Sequence, residues 1–192
     1  MNFKRDILLI DTEFSGFNFP KKHDLLQIAA VLLDKKTLKE KKFFDTYVRP
    51  TNWNTRDIAS MKINKISWEM VKDAPPLNIA IKKFNRAFPK NVIQAFYVGY
   101  NDKRILLEAY RRAKIKWPFD YHYFDLWALF YGVLAKNNQL KSKKDFAGFG
   151  LEYLIKKFKI KINKNQMHNA LVDCRLEAEI LRRVIADGRG SL

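Results

Sequence analysis

The run Ile7-Leu8-Leu9-Ile10, followed at once by Asp11-Thr12-Glu13-Phe14-Ser15-Gly16, leaves the chain few structural choices. Four consecutive apolar residues with β-branched ends read as a buried strand, and a strand sends successive side chains to opposite faces. Asp11 and Glu13 therefore point one way and Thr12 the other. Two carboxylates on one small patch beside a buried strand repel each other and are costly to desolvate unless cations or donors neutralise them. A hard divalent metal meets that need, because Mg²⁺ prefers carboxylate oxygen and water.

The chain beyond this strand supplies a sheet and its flanking helices. Residues 25–33 and 42–48 are two further β-prone runs joined by a lysine-rich turn, which predicts a three-stranded antiparallel meander. Residues 50–76 form a long connection with a turn or two of helix. Pro75-Pro76 then opens a helix that buries Leu77, Ala80, Ile81, Phe84, Ala87 and Phe88 and stops at Pro89. Residues 92–98 read as a strand, and Asn101 as the N-cap of a helix from Asp102 towards Lys114. A short strand at 121–125 leads into a helix for which Asp125 is a candidate cap, and residues 136–145 read as a loop. A helix over 150–158, a basic connection over 159–166 and a last helix from His168 or Asn169 to Ala186 complete the pattern, with 187–192 as a flexible tail. Strands first, then strands alternating with helices, predict an α/β fold whose sheet combines an antiparallel meander with parallel strands, five in all. Ligands of such sheets collect where strands end and helices begin, and Asp11, Glu13 and Asp102 all fall there.

Charge indicates the partner. A chain of 192 residues with 37 Lys and Arg against 20 Asp and Glu carries a formal charge of +17, which points to a polyanion. The length suits one domain, 1–192. A single cysteine, Cys174, excludes an internal disulfide framework and a cysteine-rich zinc site. No segment has the length and composition of a signal peptide or a membrane span, so the expected location is the cytoplasm.

Near the C-terminus stands His168-Asn169-Ala170-Leu171-Val172-Asp173. On a continuous helix His168 and Asp173 would lie about 140° apart, so His168 belongs on the loop that leads into the helix. Asp173 can then face the crevice that His168 reaches from the loop. Taken together, Asp11-Thr12-Glu13, Asp102 and His168-x-Ala170-x-x-Asp173 resemble the three motifs of the DEDD superfamily of 3′-5′ exonucleases, in its histidine-bearing, DnaQ-like branch. The resemblance covers nearly the whole chain, including Ser15-Gly16-Phe17, Leu26-Gln27-Ile28-Ala29, Lys72-Asp73-Ala74-Pro75-Pro76 and Phe124-Asp125-Leu126. One departure concerns the middle aspartate. Family members commonly place a His-Asn pair a few residues before it, whereas here Gly99-Tyr100-Asn101 abuts Asp102 directly. Aligning Tyr100-Asn101 to that pair would put Ile105 at the ligand position, while the residues after Asp102 follow the pattern expected downstream of the ligand.

The resemblance implies an RNase H-like fold in which Asp11, Glu13, Asp102 and Asp173 hold two Mg²⁺ or Mn²⁺ ions around the terminal phosphodiester. His168 would be the general base, since an imidazole with a reference pKa of about 6.5 takes a proton near neutral pH. Ser15 and Gly16 match the turn that lets the backbone approach the terminal nucleotide, and Phe17 matches the apolar position against its base. The implied substrates are single-stranded or frayed 3′ ends of DNA or RNA, released as nucleoside 5′-monophosphates. Both monomers and homodimers occur in the family, which includes proofreading subunits, RNA trimmers and oligoribonucleases. Lysine groups at 35–42, 136–144 and 156–164 are candidates to track the backbone. A second class stays open, a basic nucleic-acid-binding module that kept the fold and lost turnover; the intact set of four acids and a histidine argues against it.

Overall fold

The computed structural model of the chain describes residues 3–17, 22–140, 146, 148–162 and 167–187. Its centre is a five-stranded sheet of order β3-β2-β1-β4-β5, with β1 at Ile7–Phe14, β2 at Leu25–Leu33, β3 at Glu40–Tyr47, β4 at Ile93–Phe96 and β5 at Phe124–Asp125. The first three strands pair antiparallel, and β4 and β5 add in parallel on the other side of β1. This is the mixed sheet that the strand pattern predicts.

Among the described residues seven α-helices flank it: α1 (Ile58–Asn64), α2 (Trp68–Val71), α3 (Leu77–Ala87), α4 (Gly99–Arg112), α5 (Leu126–Lys136), α6 (Leu151–Lys157) and α7 (Ala170–Asp187). Period-two alternation decides which helices meet which residues of β1. Ile7 and Leu9 pack with Phe130 of α5, Leu154 of α6 and Leu181 of α7. Leu8 and Ile10 pack on the opposite face with Phe84 of α3 and Leu106 and Ala109 of α4. Strand β2 is buried along its whole length because helices cover both faces, which explains its near-continuous apolar run. Among the described residues, no helix is long and apolar enough to cross a membrane.

Several boundaries differ from the sequence expectation. Helix α4 begins at Gly99, so Asn101 lies inside it and is not its cap. The reason is non-local: the Gly99 N–H donates to Asp125 Oδ2 at 2.9 Å, while Asp125 Oδ1 accepts from Ala128 N at 3.0 Å and caps α5 as expected. One carboxylate thus serves two helix starts. A Cβ at Gly99 would lie 2.5 Å from the Tyr123 ring, so any other residue would push that ring aside. Strands β4 and β5 are shorter than expected, pairing only over Ala95–Phe96 with Phe124–Asp125. Asp187 is the last residue of α7 and not part of a tail, and 188–192 lie outside the described residues, as do 141–145 of the expected lysine loop and 163–166 of the basic connection.

Candidate active site

Strand β1 delivers Asp11 and Glu13 on the face of Ile7 and Leu9, the face that α7 covers. Helix α7 delivers Asp173 from its first turn. Asn169 opens that turn, its Oδ1 accepting from Val172 N at 3.3 Å and its carbonyl from Asp173 N at 2.9 Å. The turn is also tied to the sheet. Gln27 on β2 accepts the Ala170 N–H at 3.3 Å and donates Nε2 to Asp45 of β3 at 2.9 Å, linking α7, β2 and β3 through one buried side chain. As a result Asp11, Glu13 and Asp173 each present an oxygen within 4.8 Å of the other two.

Asp102 stands outside that group of three. It rises from the first turn of α4 on the opposite face of β1, where Thr12 meets it. Its Oδ1 accepts the Thr12 backbone N–H at 3.1 Å and the Thr12 hydroxyl. Thr12 pointing away from Asp11 and Glu13 is therefore what fastens the fourth acid to the strand end. His168 sits outside the helix as expected, in a left-handed conformation with φ 61°. Its N–H donates to Asp173 Oδ2 at 3.1 Å, and its exposed ring lines a cleft of about 480 Å³ together with Asp11, Tyr97, Asp173 and Glu177.

The electrostatics follow from burying acids together. Burial, reinforced by Asp102, Glu177, Glu13 and Asp173, holds the Asp11 carboxyl well above the usual range. Burial and the charges of Asp173 and Asp102 push Glu13 up to about 9. Burial raises Asp173 to about 7 against the His168 N–H that favours its charged form. Asp102 is raised by burial to about 6, held back by its two Thr12 hydrogen bonds. None of the ion pairs among the described residues involves these acids. Asp173 Oδ1 and Glu177 Oε2 are buried without any hydrogen-bond partner. Oxygen donors this close, with no paired cation among the described residues, fit a divalent metal.

The expected substrate turn has a defined shape. Ser15 is fully buried, its Oγ accepting from Asp24 N at 2.8 Å and its N–H donating to Asp24 O at 2.9 Å, so it builds the turn and presents no hydroxyl to solvent. Gly16 has φ 146°, and a Cβ there would lie 2.3 Å from the His23 ring. Phe17 is 61% exposed and packs edge-on against Phe14 at 5.1 Å. Cys174 is buried in the core, with Sγ facing Leu9 O and Ala29 O at 3.8 Å. Sequence reasoning missed four residues that shape the site: Thr12 as the anchor of Asp102, Gln27, Tyr97 and Glu177. Only Glu177 had a readable signal, its position four residues after Asp173 on the same helix face.

A mixed sheet with acids gathered at the end of its central strand is the architecture of the RNase H-like exonucleases, and solved structures of that class superpose on this chain. The nuclease domain of 3′hExo, a DEDDh family member bound to rAMP, matches with a TM-score of 0.76 at 20% identity over 98% of this chain and 96% of that one. E. coli exonuclease I in complex with a dA16 oligonucleotide matches at 0.77 and 16% identity, covering 96% of this chain and 41% of that one. Cell-death related nuclease 4 matches at 0.78 and 19% identity over 96% of this chain, which spans 64% of that nuclease. In sequence, the DNA polymerase III subunit epsilon of Rickettsia prowazekii is 27% identical over 184 residues, 94% of this chain and 73% of that subunit. The model of the RNase_T exonuclease family matches residues 8–181, and the chain belongs to that family.

Proposed function

We propose that this protein is a metal-dependent 3′-5′ exonuclease that acts as one domain on single-stranded or frayed 3′ ends and releases nucleoside 5′-monophosphates. The observation that carries the reading is the convergence of Asp11, Glu13 and Asp173 within 4.8 Å, with no cationic side chain among the described residues paired to them, at the cleft that Asp11, Asp173 and His168 line. These three acids, with Asp102 contributing its second oxygen, would hold two Mg²⁺ or Mn²⁺ ions. Such ions lower the cost of forming a hydroxide nucleophile and of expelling the 3′-oxygen. The remaining work falls to the chain. His168 takes the proton of the attacking water, and its exposed position outside α7 leaves the ring free to turn towards that water. Its backbone N–H meanwhile holds Asp173 in place. The Ser15-Gly16 turn receives the terminal nucleotide and Phe17 stacks on its base, an interaction that tolerates any sequence. Lys156, Lys159 and Lys161 line a groove that shares His168 with the cleft, a route for the rest of the strand.

Matched 5′-labelled DNA and RNA oligonucleotides, incubated with Mg²⁺, Mn²⁺ or EDTA, test the reading. Shortening from the 3′ end only with metal is expected, abolished in Asp11→Ala and strongly slowed in His168→Ala at similar substrate affinity. Salt-sensitive binding without shortening of either oligonucleotide would sink it and leave a binding module.

A further inference from the structure

We infer that Glu177 is a fifth carboxylate of the metal centre, a positioning residue that stands behind Asp11 and Asp173 and strengthens their hold on a divalent cation. The inference rests on the proposed function only in taking Asp11, Glu13 and Asp173 as cation ligands. Glu177 follows Asp173 by one helical turn on α7, so the two side chains share a face. It is 2% exposed, lines the same cleft as Asp11 and Asp173, and its Oε2 has no hydrogen-bond partner.

A glutamate at this depth normally has a structural reason, a cation or an N–H donor that compensates its lost hydration. Neither is present. Among the described residues no Lys, Arg or His forms an ion pair with it. The Tyr97 hydroxyl, which shares the cleft, donates instead to the Phe149 carbonyl at 2.9 Å. Its other neighbours in the cleft include three more acids, Asp11, Glu152 and Asp173. An apolar side chain would suit the inward face of α7, where Cys174, Ala178 and Leu181 already join the core. Removing one charge from a buried, unpaired cluster would ordinarily stabilise the fold. A carboxylate in this place therefore has its compensation from the cleft side, where the cation would sit. It lies outside the group of three whose oxygens approach within 4.8 Å, so its part is that of an outer acid that adds field and holds the inner ligands in place.

The test is Mn²⁺ binding without nucleic acid, read from the free-ion electron paramagnetic resonance signal, for wild type, Glu177→Gln, Glu177→Met and Asp11→Asn. Outer-shell partners are worth about 10–100-fold in metal affinity, so both Glu177 variants should bind Mn²⁺ at least about tenfold more weakly. In EDTA both should melt no lower than wild type. Equal Mn²⁺ affinity in folded Glu177 variants, or loss of folding in both, would overturn the inference and leave the exonuclease reading standing. If wild type binds no Mn²⁺, or Asp11→Asn binds as well as wild type, the metal centre itself is refuted and Glu177 with it.

Discussion

Gln27 offers the sharpest test of how the site is held. It is fully buried opposite Glu13 in the β1–β2 register, and its amide joins Asp45 at 2.9 Å to the Ala170 N–H at 3.3 Å. Gln27→Leu keeps the volume and removes both bonds. Asp45 is exposed and recovers water, so its loss is small. Ala170 is fully buried, and its orphaned N–H costs about 1–3 kcal/mol. Taking roughly 2 kcal/mol, a chain of this size should melt about 4–8 °C lower in EDTA. The second consequence concerns the metal. Ala170 lies in the turn that carries Asp173, so a freed α7 start lets Asp173 drift from Asp11 and Glu13, and Mn²⁺ affinity should fall by about 10-fold or more. Differential scanning fluorimetry and a Mn²⁺ titration on the same preparation measure both. A variant that melts with wild type and binds Mn²⁺ equally would show that the bridge to Ala170 does not position the third acid.

Three further outcomes are expected. Thr12→Val removes the hydroxyl that donates to Asp102, costing about 1.5–3 kcal/mol and raising the Asp102 carboxyl above its present value of about 6; the acid limb of the pH–rate profile should move to higher pH, and an unmoved limb would separate Asp102 from the chemistry. Phe17→Ala truncates an exposed side chain, so stability should hold within about 0.5 kcal/mol. A lost stacking partner worth about 1–3 kcal/mol should weaken oligonucleotide binding roughly 5–150-fold, measured by anisotropy. The acid cluster also sets a pH dependence. Asp102, Asp173 and Glu13 keep their protons to higher pH in the folded state than their ordinary values of 3.8, 3.8 and 4.5, so they contribute stability fully present below about pH 4. That contribution is lost as pH rises through about 6, 7 and 9 in turn. The melting temperature in EDTA should therefore fall between pH 5 and 8, as estimated from this linkage, and Mn²⁺ should flatten the fall; parallel curves would refute the cluster as its source.

What was legible in the sequence was what depends on local periodicity. Alternation along β1 assigns Asp11 and Glu13 to one face and Thr12 to the other, and the 3.6-residue period places His168 outside α7. The Asp125 cap also follows from short-range pattern. The parts that were not legible depend on partners distant in sequence. The start of α4 is set by Asp125, 26 positions from Gly99, so Asn101 looked like a cap while the real acceptor lay at the end of β5. Gln27 sits inside an apolar run, and nothing local says that its amide reaches Ala170, 143 positions away. Glu177 had one local clue, its place a turn after Asp173, but its burial could not be read. A glutamate on a charged helix reads as solvated surface until the packing of α7 against β1 turns that face inward.

The charge distribution adds a requirement that the four-acid motif alone does not express. A net charge of +17 attracts a polyanion over the surface as a whole, yet Asp11, Glu13, Asp102, Asp173 and Glu177 concentrate carboxylates at the one place where the terminal phosphate must settle on the proposed function. Long-range attraction brings the strand in, and short-range repulsion keeps its end out unless a cation intervenes. Metal should therefore govern seating as well as chemistry. In His168→Ala, which keeps all five acids, an oligonucleotide with 2-aminopurine at its 3′ end should bind in EDTA with salt-sensitive affinity and unchanged fluorescence. Mn²⁺ should then quench the fluorophore as the terminal base reaches Phe17, with only a modest gain in overall affinity. Quenching of equal depth in EDTA would mean that the terminal nucleotide settles without a cation, and that the acids do not guard the site.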